Sequence, residues 1–165
     1  MATEIERKFL VIGDAWRNLA IHRERLRDGL IAMTEDRKVR VRVYEEDERA
    51  TITVKAKTGR IRNAEFEYDI PMADAEELLA SHCGERVFSK YRYFVPHRGF
   101  MWHVDVYEGI LDGVILAEVE VAKEDAAVAL PHWIGQDVTG RHEYKKHNLF
   151  RARLTQVHQA QASLD

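Results

Sequence analysis

The chain has 165 residues, 45% of them apolar and 32% charged, which suits one folded domain with a real core and excludes a disordered chain. Its formal net charge of −3 is the wrong sign for a dedicated nucleic-acid binder. One cysteine, Cys83, rules out a disulfide framework or a thiolate metal cluster and reads as a small buried thiol.

No apolar run nears the roughly 20 residues that span a bilayer, so no membrane partner is expected. The charged start, MATEIERKF, lacks a signal peptide's apolar stretch, and a cytoplasmic location is expected. No internal repeat or Pro/Gly/Ser linker divides the chain, so residues 1–165 are taken as a single domain.

Period-two alternation dominates. Thr3–Val11 sets Ile5, Phe9 and Val11 opposite Glu4, Glu6 and Lys8. A short helix is expected from Asp14 through Leu19, and then a second strand carries Arg23, Arg25 and Arg27 on one face, either extending an anion site or lining a rim. Lys38–Val43 sets Val39, Val41 and Val43 against Lys38, Arg40 and Arg42; Ala50–Lys57 sets Ile52 and Val54 against Thr51, Thr53, Lys55 and Lys57. A turn at Thr58-Gly59 leads into Ile61–Ile70, which Pro71 stops. Asp74–Cys83 reads as a helix with Gly84 as its C-terminal stop. Strands follow near Arg86–Val95, Phe100–Tyr107 and Val114–Val121, and Leu149, Phe150, Leu154 and Val157 recur at the spacing of an amphipathic helix lying on the outside. Seven or eight mostly sequential strands with few helices predict an α+β barrel or sandwich with antiparallel pairing.

The polar faces carry the chemical information. Residues i and i+2 of a strand point the same way, so Glu4 pairs with Glu6, Glu65 with Glu67 and Glu118 with Glu120. Arg40 likewise pairs with Arg42, Lys55 with Lys57 and Lys90 with Arg92. Like charges about 7 Å apart at an effective dielectric near 20 repel by roughly 2 kcal/mol. On a wet face salt screens most of that, so a solvated sheet remains one reading. The other is a site: clustered carboxylates suit a hard cation such as Mg²⁺ or Mn²⁺, and clustered Arg and Lys suit phosphate oxygens. Acids and bases together favour a metal–polyphosphate complex over bare nucleic acid, whose phosphates the acidic strands would repel. The histidines are scattered, and no P-loop, dinucleotide turn or nucleophile elbow is present. Trp102 and Trp133 read as packing residues.

Glu4-Ile5-Glu6-Arg7-Lys8 resembles the ExExK signature of the CYTH superfamily, the triphosphate tunnel metalloenzymes. The segments that follow in order strengthen the likeness: Val39-Arg40-Val41-Arg42, Thr53-Val54-Lys55, Glu65-Phe66-Glu67-Tyr68, Lys90-Tyr91-Arg92-Tyr93, Trp102 to Tyr107, Ala117-Glu118-Val119-Glu120, and Trp133-Ile134-Gly135 with Asp137-Val138-Thr139. The resemblance runs over about residues 3–150 and points most closely to bacterial inorganic tripolyphosphatases.

It implies a closed eight-stranded antiparallel β-barrel with a few helices packed outside and a tunnel lined by charge. It implies Glu4, Glu6, Glu118 and Glu120 as metal ligands, joined in some members by Asp105. Lys8, Arg40, Arg42, Lys55, Lys90 and Arg92 would hold the phosphates, and Arg62 would join them if its register allows. Metal-dependent hydrolysis of inorganic tripolyphosphate or a related triphosphate, a small-molecule substrate, is the activity it implies, with Lys8 stabilising charge at the scissile bond and Glu4 orienting the water. Adenylate cyclase and thiamine triphosphatase activities share the same grip, and a non-catalytic polyphosphate or nucleotide sensor is the reading from another class. A homodimer is left open.

Two departures stand out. Asp28-Gly29-Leu30-Ile31 replaces the frequent Gln-Gly-Tyr-Leu, so Leu30 lacks the hydroxyl that could partner Lys8. Tyr144-Lys145-Lys146-His147-Asn148 replaces a shorter Tyr-x-Asn pattern and is expected to be a surface change.

Overall fold

The computed structural model describes residues 2–164. Nine strands form in chain order: β1 (Thr3–Val11), β2 (His22–Met33), β3 (Arg37–Tyr44), β4 (Arg49–Lys57), β5 (Arg62–Ile70), β6 (Val87–His97), β7 (Phe100–Tyr107), β8 (Ile115–Glu120) and β9 (Ile134–Asp137). Two helices accompany them, α1 (Met72–Ser81) between β5 and β6 and α2 (Lys146–Ala162) at the end, and the expected Asp14–Leu19 helix is a 3-10 turn over Ala15–Leu19. No helix among these is long and apolar enough to cross a membrane.

Eight strands close into a barrel in the order β5-β4-β3-β2-β6-β7-β8-β1, with β1 returning to β5, and every pairing is antiparallel. The closing contact is short, since β1 meets β5 only over Arg62–Ala64, so the rest of β5 and the added strand β9 keep unpaired edges. β9 shares one side of β1 with β5: Thr3 faces Ala64 at the start of β1, and Phe9 faces Asp137 near its end. The β6–β7 hairpin turns through Arg98 (φ 44°) and Gly99 (φ 82°), the consecutive left-handed pair that a tight two-residue connection requires.

Alternation divides each strand between an inner charged face and an outer apolar one. The outer face of β1, β6, β7 and β8 buries Phe9, Val95, Trp102, Val104, Ala117 and Val119 under Trp16, Trp133 and Ile134. Trp102 and Trp133 meet edge-to-face with centroids 5.9 Å apart, as packing residues. α1 lies on the outside of β3 and β4, pressing Ala75 and Leu79 against Val41, Val43 and Ala50, with Cys83 buried beside them. A Cβ at Gly29 would come 2.5 Å from Leu79 and 2.6 Å from the Cys83 sulfur, so any larger residue would have to push these two packed side chains aside. Each large side chain so buried contributes about 1.5–3 kcal/mol.

The last helix goes further in than the outside position expected of it. Phe150 of α2 packs with Phe88, Tyr107 and Leu116, all on the inner face of β6–β8, with Leu149 and Leu154 beside it. Val157 is exposed. The first turns of α2 therefore stopper one side of one barrel end.

Candidate active site

At that end the barrel opens into a cavity of about 680 Å³. β3 and β4 send Lys38, Arg40, Lys55 and Lys57 to its wall, β1 sends Glu6 and Lys8, and β2 sends Asp28 and Leu30. The register explains the convergence: Lys38 pairs with Lys55 and Arg40 with Thr53 across β3–β4, so one face of both strands points inward. Ten Lys or Arg line the cavity against five Asp or Glu. In a chain of net charge −3, that excess marks an anion site.

The carboxylates gather on β1 and β8. Glu6 faces Glu120 and Lys8 faces Glu118 across the strand pair. Burial, and then the nearby Glu118 carboxylate, push the Glu6 carboxyl up to about 7. Burial would also raise Glu118, but Lys8 and Arg92 overturn it and hold that group well below the usual carboxylate range. Burial and Glu4 raise Glu120. Lys8 Nζ lies 3.5 Å from Glu118, and Lys55 Nζ contacts Glu4 and lies 3.3 Å from Glu65.

Deeper in the tunnel the cations are locked. Arg42 grips Asp28 through two hydrogen bonds of 2.6 and 2.8 Å. Asp105, fully buried, accepts 2.6 Å from Lys90 and 2.8 and 2.9 Å from Arg92. Burial opposes ionisation of Asp105, yet Arg92 and Lys90 prevail and hold its carboxyl well below its ordinary value.

The expected residues thus divide. Lys8, Arg40, Lys55 and Glu6 face the cavity. Glu4, Glu118 and Glu120 are on the same inner face of β1 and β8. Arg42, Lys90 and Arg92 line the deeper tunnel behind their carboxylates. Asp105 serves as their counter-ion, with its oxygens already occupied. Arg62 is corrected: Asn63 shares the inward face with Glu65, so Arg62 turns outward, half-exposed and 3.9 Å from Glu124, and Arg60 reaches the cavity instead.

Arg23, Arg25 and Arg27 occupy the outer face, Arg25 and Arg27 on Glu108 and Glu76 and Arg23 over Tyr91. His103 shares the inner face with Asp105, and burial and Arg92 push its imidazole down to about 4. Leu30 is inward opposite Arg40, and Lys8 finds Glu118 as its partner without a tyrosine.

Two residues outside the expected set stand in the cavity. Asp28, which the sequence offered only as a departure from the family pattern, anchors Arg42 and reaches Lys90 at 3.9 Å and Lys146 at 3.3 Å. Lys146 is not a surface change, because the start of α2 turns it into the barrel mouth.

The donor chemistry fits a hard divalent cation. Four glutamates, Glu4, Glu6, Glu118 and Glu120, present carboxylate oxygens on one inner face, Glu4 is ion-paired with Lys55, and the raised Glu6 carboxyl marks negative charge that a cation would relieve. Among the described residues no three acidic, His or Cys side chains already surround one point.

Residues 2–151 match the CYTH domain family. An inorganic triphosphatase of Acetivibrio thermocellus is 40% identical over 92% of this chain and 95% of its own length. An inorganic triphosphatase of Nitrosomonas europaea is 35% identical over 87% of this chain and 93% of its own. The crystal structure of an inorganic triphosphatase superposes with a TM-score of 0.62 at 32% identity, covering 90% of this chain and 95% of that one.

Proposed function

The chain belongs to the CYTH domain family, and from that premise we propose that it hydrolyses inorganic triphosphate in the barrel cavity with Mg²⁺ or Mn²⁺ as cofactor. One observation carries the reading: a cavity at the barrel mouth, lined or rimmed by ten basic residues, opens beside inward-facing glutamates of β1 and β8. A compact anion of high charge is what such a wall neutralises.

Lys8, Arg40 and Lys55 bind the phosphate oxygens at the cavity wall. Arg40 is readied for this, since its Nε is buried without a hydrogen-bond partner while Nη2 donates to Thr53 at 3.3 Å. Arg42, Lys90 and Arg92 supply positive potential from below, and Asp28 and Asp105 fix their positions. Fixed charge of this kind does most of the work in phosphoryl transfer, where positioning outweighs covalent chemistry. Lys8 stabilises charge at the scissile bond and Glu4 orients the attacking water. Glu4, Glu6, Glu118 and Glu120 would hold the metal ion, which when bound supplies Lewis-acid stabilisation of the phosphoryl oxygens and an activated water.

Purified protein given tripolyphosphate, ATP or thiamine triphosphate with each metal tests the reading. Release of orthophosphate from tripolyphosphate, lost in a Glu4→Gln, Glu6→Gln double variant, is expected. Cyclic AMP from ATP, or tight binding without turnover, would replace it with a cyclase or a sensor.

A further inference from the structure

Lys146 begins α2 and lines the cavity with its side chain only 20% exposed. Its contact is Asp28, at 3.3 Å, but Arg42 already holds both oxygens of that carboxylate at 2.6 and 2.8 Å. Lys90 lies 3.9 Å from the same group. Lys90 has Asp105 as its nearer partner at 2.6 Å, so Arg42 and Lys146 share the Asp28 carboxylate and leave surplus positive charge in a desolvated place.

The surroundings add to it. Lys38, on the same wall, has cations as its principal charged neighbours: Lys55, Lys146, Arg40 and Lys8. Arg40 has its buried Nε unpartnered. The first turn of α2 holds no acid and begins Lys146-His147, although a helix start disfavours positive charge. A structural role for Lys146 explains none of these, since Asp28 is neutralised without it. A phosphate arriving between Lys38, Arg40 and Lys146 satisfies all of them at once.

We propose that Lys146, with Lys38, forms a binding subsite for a terminal phosphate of the substrate, and that Asp28 is the positioning residue that holds the Lys146 ammonium at the cavity mouth until the phosphate arrives. This rests on the triphosphatase reading above and deepens it: the last helix belongs to the substrate site. The loss of one charge-assisted contact to phosphate weakens binding by roughly tenfold or more.

The test measures tripolyphosphate hydrolysis by wild type, Lys146→Gln and Lys146→Arg, with Arg151→Gln, on the exposed side of α2, as the control for helix charge. KM is expected to rise about tenfold in Lys146→Gln with a smaller change in kcat, to recover partly in Lys146→Arg, and to stay put in Arg151→Gln. Wild-type protein is also pulse-labelled with an amine-reactive ester under saturating tripolyphosphate and Mg²⁺ and read by mass spectrometry. Lys146 and Lys38 should be protected and the exposed Lys123 should not. Equal labelling of Lys146 with and without tripolyphosphate, or an unchanged KM in Lys146→Gln while wild type turns over, overturns this subsite and leaves the functional reading standing. Wild type that neither hydrolyses nor binds tripolyphosphate removes both. If Lys146→Gln fails to fold, the labelling decides alone.

Discussion

Arg42, Lys90 and Arg92 in the deep tunnel, and Lys38, Arg40 and Lys146 around the cavity, are the same kinds of side chain on the inside of one barrel. They differ in their counter-ions. The deep cations sit 2.6 to 2.9 Å from Asp28 and Asp105. In the cavity Arg40 reaches Glu67 only at 3.9 Å, Lys146 reaches Asp28 at 3.3 Å, and Lys38 feels mainly other cations. Breaking a matched buried pair costs the fold, whereas buried charge left in surplus gains most from an incoming ligand of opposite sign. The two regions should therefore fail in different ways when altered.

The largest effect is expected at Asp105. Asp105→Asn leaves buried Lys90 with only Asp28 at 3.9 Å and buried Arg92 with only Glu118 at 3.4 Å, and breaking such a network costs about 3–5 kcal/mol. Urea unfolding should show a clearly lower midpoint with an unchanged slope; a midpoint at the wild-type value would erase the distinction between the two regions.

Arg40→Gln should do the reverse. Its stability should stay within about 1 kcal/mol of wild type, while kcat/KM for tripolyphosphate falls by at least about tenfold. Equal losses of stability and activity would make Arg40 one more structural cation.

Lys38 sharpens the contrast through pH. Burial, and then Lys55 and Lys146, push its ammonium from an ordinary 10.5 down to about 7. Between those values the unfolded chain holds the extra proton, so this group's destabilising contribution is full below about pH 7 and fades as pH rises towards about 10.5. Lys38→Met should accordingly stabilise the protein more at about pH 6.5 than at about pH 9.5. Tripolyphosphate, by returning Lys38 to its charged form, should take up protons on binding near about pH 8, measured by calorimetry in buffers of different ionisation enthalpy.

The smallest effect belongs to Arg62→Gln, outside the cavity and beside Glu124 at 3.9 Å. Stability should change by under about 0.5 kcal/mol and tripolyphosphate turnover should be unaffected. A large fall in turnover would return Arg62 to the tunnel.

The strands could be read from the sequence because a barrel with a charged inside and an apolar outside writes the period of two in both residue classes. Val39, Val41 and Val43 say which face is out as clearly as Arg40 and Arg42 say which is in. β9 escaped because Ile134–Asp137 is four residues long and has only one apolar position. Arg62 escaped by one residue of register, which reverses a side chain's face. Asp28 and Lys146 were hidden for a different reason: Asp28 acts by holding Arg42 across the strand pair, and Lys146 reaches it from 118 positions away, a contact that nothing local to either segment carries. A lysine in a helix's first turn looks like solvent-facing charge until the barrel mouth is placed against it.

β1 has a double duty with a consequence for biosynthesis. It carries Glu4, Glu6 and Lys8, and it is also the strand that pairs with β5 on one side, with β8 on the other, and with β9 beyond. The acidic half of the site therefore does not exist in a chain still on the ribosome before Glu120 emerges. A partly made product has cations and glutamates but no closed barrel to bring them together.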